Sequence, residues 1–223
     1  MDVKSMHYAD VIDPFIGRNM IKPIYLVTLL SINAFTAHAE NIVEPGIFLG
    51  LDLSTSITGT ADSEIELSNS DTKYVTEDDV DANSAAITLG YRFPSNNRFQ
   101  ISLVSIDAEL KGGIKDEFSG TDFDWQFVYG LDTVQPYWGL GFGLYTFENT
   151  AQVTEKNKDL SGLSLQLLGG IKIDLHKHFE VDVSYRIKSI SWQDIEESNA
   201  LFTKTTSRSH TVGSLNFGAA VKF

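Results

Sequence analysis

The chain has 223 residues, with 30 acidic and 17 basic side chains and no cysteine. A net charge of −13 argues against nucleic acid as a partner, because phosphate must be met by basic patches, and the missing cysteines exclude a disulfide scaffold. A mean hydropathy of −0.08 excludes a bundle of membrane helices, each of which needs ~20 apolar residues in a row. It leaves open a barrel whose apolar residues are diluted by alternation.

Residues 20 to 39 read as a secretory signal peptide: Lys22, an apolar run from Ile24 to Leu30 that continues weakly to Phe35, and then Ala37-His38-Ala39 as a small-residue cleavage site. The apolar stretch is too short to span a bilayer. Residues 1–19 lack this logic and read as a leader or a start-site artefact, with residues 40–223 as the mature domain.

From Gly46 onward the chain divides into eight alternating runs separated by turn signals. In Gly46–Thr58, Ile47, Leu49, Leu51 and Leu53 share one face, opposite Phe48, Gly50, Asp52 and Ser54. Asn83–Phe93 sets Ile87, Leu89, Tyr91 and Phe93 against Thr88, Gly90 and Arg92, and Pro94-Ser95-Asn96-Asn97 reads as a tight turn. Arg98–Glu109 begins with Phe99, Ile101 and Leu103, then changes phase near Val104, which predicts a bulge. Ser119–Leu131 gives the clearest alternation, through Phe123, Trp125, Phe127 and Tyr129. In Gln135–Phe147, Trp138, Leu140, Phe142 and Leu144 interleave with Gly139, Gly141 and Gly143. Ser161–Ile173, His178–Ile190 and Ser209–Phe223 complete the set, the last ending on an aromatic.

Connections at 94–97, 132–134 and 174–177 are short, whereas those at 59–82, 110–118, 148–160 and 191–208 are longer and polar. Antiparallel neighbours joined in this way place all short turns and both chain ends on one side of a barrel. Period alone does not say which face is inside, since a soluble barrel alternates in the opposite sense. Volume decides, because eight strands leave an interior just wide enough for side chains. Trp125, Phe127, Trp138, Phe142, Phe179, Tyr185, Phe217 and the leucines would overfill it, whereas the opposite face is small, polar or charged. The expected fold is therefore all-β: an eight-stranded antiparallel up-and-down transmembrane β-barrel, apolar face outward, behind an N-terminal signal peptide.

With that sense fixed, the inward charges are Asp52, Arg92, Asp124, Lys172, Glu180, Asp182, Arg186, Lys188 and Lys222. Unpaired charges in a narrow interior are costly, so they are expected to form ion pairs: Lys172 and Lys222 flanking Glu180 and Asp182, and Asp52 meeting Arg186. Two aromatic belts are expected at the interfaces. Tyr91, Phe93, Phe99, Trp138, Phe179 and Phe223 are assigned to the short-turn end, and Phe123, Trp125, Tyr145, Phe147 and Trp192 to the long-loop end.

The run Gln135 to Tyr145, Q-P-Y-W-G-L-G-F-G-L-Y, resembles the glycine-alternating fifth strand of the small outer-membrane β-barrel family that includes the OmpA transmembrane domain and opacity-type proteins. Leu89-Gly90-Tyr91-Arg92-Phe93, Gly169 to Ile173, Val183 to Arg186 and the final Phe223 are similar to its pattern. The resemblance implies an outer-membrane location in a Gram-negative-type bacterium, with loops outside and termini periplasmic. It implies outer-membrane lipids and lipopolysaccharide as surroundings, the barrel-assembly machinery and periplasmic chaperones as partners, and Phe223 as an assembly signal. It leaves the oligomeric state open. The peptidoglycan-binding domain of full-length OmpA has no counterpart in this sequence, so wall anchoring is not implied.

Other chemistry is weakly signalled. Asp62, Glu64, Glu66, Asp71, Glu77, Asp78, Asp79 and Asp81 face Lys73 alone in the first polar segment, but without the ligand spacing of a calcium loop. His176 and His178 lack further zinc ligands nearby. Ser209 and His210 imitate a hydrolase pair, yet adjacent residues on a strand point to opposite faces. No catalytic residue, cofactor or metal is expected. The sequence reading is a structural and surface-interaction barrel, with a lipid A-modifying enzyme or a narrow solute channel as alternatives.

Overall fold

Alternation of large apolar and small polar residues builds one continuous antiparallel sheet. In a computed structural model, residues 44–68, 73–111, 113–130, 133–147, 159–198 and 203–223 are described. The strands are β1 (Gly46–Leu67), β2 (Lys73–Arg92), β3 (Arg98–Leu110), β4 (Ile114–Val128), β5 (Val134–Phe147), β6 (Leu160–His176), β7 (Phe179–Trp192), β8 (Ile195–Ser198) and β9 (Thr203–Lys222). Each of β1 to β7 pairs with the next, β7 pairs with β9, and β9 pairs with β1, closing a ring of eight. β8 lies outside the ring and extends the β7 side of β9 from Ile195↔Thr206 to Ser198↔Thr203. The signal-peptide segment 20–39, the leader 1–19 and Asp71 lie outside the described residues.

The apolar face is on the outside. Leu49, Leu51, Leu53, Ile87, Leu89, Leu103, Leu140, Phe142, Leu163, Ile187 and Phe217 are all exposed, and Leu165 is 67% exposed. Closure leaves no lipid-facing sheet edge, which a membrane would not tolerate.

Two expectations about the strands are corrected. Most of segments 59–82 and 191–208, and the greater part of 110–118, are strand rather than loop. A strand of 22 residues at ~3.4 Å per residue and a tilt of ~40° climbs roughly 55 Å, against ~30 Å of hydrocarbon. The polar residues in these segments are thus ladder residues standing beyond the membrane. No bulge occurs at Val104: β3 keeps an unbroken register with β2 and β4 from Arg98 to Leu110. Register shifts fall elsewhere: in β1, between Thr55 and Thr60 against β2 and between Ser56 and Thr58 against β9, and in β6 between Asp174 and His176. The phase change at Val104 marks a change in what the lumen contains, not in the backbone.

Candidate functional site: the filled lumen

From Arg98 the inward positions of β3 run Arg98, Gln100, Ser102, Val104, Ile106, Ala108 and Leu110, all buried. The interior accordingly has two layers, ionic toward the short turns and apolar toward the far end.

In the ionic layer Glu180 is the hub. Arg98, fully buried on β3, pairs with it across the lumen. Lys222 Nζ lies 3.7 Å and Lys172 Nζ 4.0 Å from the same carboxylate. Lys172 also reaches Asp182 at 3.5 Å, and Lys222 reaches Asp174 at 2.5 Å. In the 94–97 turn at this end, Asn96 is buried and takes φ 66°, a left-handed conformation that asparagine tolerates. Its side chain accepts from Arg92 Nε at 2.8 Å and donates to the Gly130 carbonyl at 2.8 Å.

One step higher, Arg186 spans the bore from β7 to β4, with Nη1 3.3 Å from Asp122 and Nη2 3.3 Å from Asp124. Lys188 Nζ is 2.7 Å from Asp122 and also donates to Tyr145 Oη, which in turn donates to Asp122 at 2.8 Å. Asp124 accepts further hydrogen bonds from Gln166 at 2.6 Å and Gln100 at 3.1 Å. The glycine alternation of β5 makes room for these carboxylates. A Cβ on Gly141 would sit 2.0 Å from Asp124 Oδ1 and 2.6 Å from the Phe123 carbonyl, and one on Gly143 would sit 2.3 Å from Asp122 Oδ1.

The apolar layer is built from Val104, Ile106, Phe118, Phe147, Leu160, Ile190 and Trp192. Phe118 packs on Phe147 at 5.2 Å, Trp192 at 5.1 Å and His210 at 4.8 Å. Within it Arg208 reaches Asp116 at 2.7 Å. A cavity of about 60 Å³ lies where the layers meet, lined by Lys172 and Gln126 on one side and by Phe118 and Ile190 on the other.

All of the charged residues expected inside, Asp52, Arg92, Asp124, Lys172, Glu180, Asp182, Arg186, Lys188 and Lys222, sit on inward positions of their strands. The pairing expected between Asp52 and Arg186 is corrected. Asp52 accepts from Thr88 Oγ1 at 2.7 Å, while Arg186 goes to Asp122 and Asp124. Likewise Lys222 meets Glu180 and Asp174 rather than Asp182. Arg98, Asp122, Asp116, Arg208 and His210 belong to the interior but were not among the charges read as inward. For Arg98 and Asp122 a signal existed, because each sits two residues before an inward position, Gln100 and Asp124.

Among the described residues, outward rings assigned to the belts gather at the short-turn end. Phe93 lies 5.0 Å from Tyr91 and 5.1 Å from Trp125, Phe99 is 6.2 Å from Trp125, and Trp138 stacks on Phe127 at 4.5 Å. Phe179 and Phe223 are exposed at the same end of the barrel, on β7 and just past β9. Trp125 is thus misassigned by sequence to the long-loop end, because β4 begins at Ile114, five residues before the expected start at Ser119, and ends at Val128. Tyr145 is not a belt residue: it is 2% exposed and turned into the lumen, as are Phe147 and Trp192. The neighbouring outward positions, Leu144 and Thr146, carry no ring.

Inside the lumen, His210 is engaged by Trp192 and Asp116. Trp192 Nε1 donates to its Nδ1 at 2.7 Å and its Nε2 faces Asp116 Oδ2 at 3.6 Å. Among the described residues no group of three or more His, Asp or Glu side chains is placed to hold a metal ion. The His176 and His178 rings lie 5.8 Å apart at the surface.

A closed ring of eight tilted strands, greasy outside and filled inside, defines a membrane-spanning β-barrel. The chain belongs to the outer membrane protein beta-barrel domain family, whose model matches residues 27–223. No curated protein matches it. Among solved structures it is similar to neisserial surface protein A (16% identity, covering 81% of this chain and 100% of that one, TM-score 0.44). It is also similar to Ail, the attachment invasion locus protein of Yersinia pestis (16%, 80% and 99%, TM-score 0.41), and to the outer membrane enzyme PagL (11%, 72% and 97%, TM-score 0.37).

Proposed function

We propose that this protein is a non-enzymatic barrel of the outer membrane with a structural and surface-interaction role, its long-strand end facing outward and its termini in the periplasm. The observation that carries the reading is the doubly filled bore: ion pairs cross it at Glu180 and Arg186, and packed rings fill it at Phe118, Phe147 and Trp192. Eight strands leave little space to begin with, and a solute would have to displace both layers. What the protein offers its surroundings is therefore its outside. The apolar wall meets outer-membrane lipid and lipopolysaccharide, and the polar ladders beyond it meet what lies outside the cell. Phe223, 75% exposed at the short-turn end with its amide hydrogen-bonded to Ile47, is the signal offered to periplasmic chaperones and the assembly machinery.

The test is conductance in planar bilayers containing the purified, folded protein. No large, stable channel is expected, and one would overturn the filled-lumen reading. Lipid A from a deletion strain, analysed by mass spectrometry, is expected to keep its acylation pattern. A change restored by the wild-type gene would make the protein an enzyme instead.

A further inference from the structure

In the apolar layer the imidazole of His210, on β9, is packed with no solvent exposure. Its ring lies 4.8 Å from that of Phe118 and, edge-on, 6.0 Å from that of Trp192. An indole N–H can only donate, so the 2.7 Å contact from Trp192 Nε1 makes Nδ1 an acceptor and puts the imidazole proton on Nε2. That proton has no hydrogen-bond partner: Asp116 Oδ2 is 3.6 Å away and already takes Arg208 Nη2 at 2.7 Å. The neutral ring is thus tied to Trp192 on one side and faced by a carboxylate on the other.

Outward positions at this level are polar: Ser209 and Thr211 beside His210 on β9, Asp62 and Thr60 opposite them on β1, and Ser191 and Ser189 on β7. His210 therefore sits beyond the apolar band that meets lipid. The charged groups around it are Asp116 from β4, Arg208 from its own strand, Asp62 from β1 on the outer face, and Asp78 of β2 on the inner face opposite Ala61. From β7 comes Lys188, two residues below Ile190 and turned toward Asp122. Burial holds the imidazole below the ordinary histidine range; Asp116 opposes this and Arg208 reinforces it.

An added proton would turn Nδ1 from acceptor to donor, so that two N–H groups meet where one bond was. We propose that the Trp192–His210 bond is an acid-operated latch. Protonation of His210 at Nδ1 by solvent releases Trp192, which keeps its indole proton, and draws the imidazolium toward Asp116. The ring packing of the apolar layer loosens, while the ion pairs around Glu180 and Arg186 stay closed. A ring held neutral while packed and free to charge once released makes the loosened layer gain ground as pH falls.

The latch goes beyond the surface-interaction reading, and neither conductance at neutral pH nor lipid A acylation bears on it. Full-length protein with Trp125→Phe and Trp138→Phe, folded in micelles, keeps Trp192 as its one tryptophan. Acrylamide quenching of its fluorescence and the proton NMR signal of its indole N–H are followed from about pH 8 to about pH 5, the range in which histidine titrates. Quenching is expected to be weak at the alkaline end and to rise on acidification, the ratio of loosened to packed protein growing by no more than about tenfold per pH unit. The midpoint is expected below the ordinary histidine value of about 6.5, and the indole signal should move upfield with the same midpoint. His210→Asn keeps a carbonyl oxygen for Trp192 but does not titrate, and should leave both signals flat. Heat-modifiable gel mobility reports whether this variant folds; should it not, the indole signal of the His210 protein decides alone. An unquenched Trp192 with an unmoved indole signal in acid, a midpoint above about 6.5, or the same acid response in folded His210→Asn would overturn the proposal.

Discussion

The two halves of the lumen solve one problem, filling a narrow cylinder, with opposite chemistry. Around Glu180 and Arg186 the fit is electrostatic: each charge is held by named partners, and removing one strands the others. Around Phe118 and Trp192 the fit is chiefly one of volume, with packed rings and aliphatic side chains filling the bore. A buried ion pair is intolerant of losing a partner yet replaceable as a unit, whereas an apolar core tolerates conservative change and suffers from cavities.

Isosteric change should expose the contrast most sharply. Glu180→Gln conserves shape but leaves Arg98 buried without its ionic partner, and is expected to cost about 3–5 kcal/mol in urea unfolding from lipid vesicles. The double change Arg98→Met with Glu180→Leu should recover most of that loss, and failure to recover any would show that the pair does more than neutralise itself. In the apolar layer, Phe118→Ala should cost about 3 kcal/mol by opening a cavity, but Phe118→Leu under about 1.5 kcal/mol. Equal costs for the two would mean that ring geometry, not volume, governs this layer. Gly141→Ala tests the seam with the β5 wall: its methyl meets the Phe123 carbonyl as well as Asp124, and about 1–3 kcal/mol of overpacking is expected. The smallest effect belongs to the ladder beyond the membrane. Lys73→Ala removes solvent-exposed pairs with Glu64 and Glu66 and should leave the unfolding midpoint unmoved.

Parity was the legible part of the sequence. Every second residue from Gly139 through Gly141, Gly143, Tyr145 and Phe147 points inward, and so does every second residue from Glu180 to Trp192, Asp182 and Arg186 included though only partly buried. Reading Tyr145, Phe147 and Trp192 as belt residues let aromatic preference override that parity. The parity was right, because a barrel taller than the membrane can afford an apolar interior above the bilayer. Strand ends were illegible for the same reason: once outside lipid, a ladder needs no apolar face, so Asp62 to Asp81 reads as loop. The partners across the bore, Arg98 with Glu180 and Arg186 with Asp122 and Asp124, depend on the stagger of the closed ring, which no local pattern records.

The protein's three tryptophans divide between the two surfaces: Trp125 and Trp138 lie on the outer wall, and Trp192 is 5% exposed inside the lumen. Single-tryptophan variants, with phenylalanine at the other two positions, can be folded into vesicles of brominated lipid and their fluorescence compared with that in unbrominated vesicles. Strong quenching of Trp125 and Trp138 with Trp192 nearly unaffected is the predicted result. Quenching of Trp192 while Trp125 and Trp138 stay bright would mean that the barrel wears its faces the other way round.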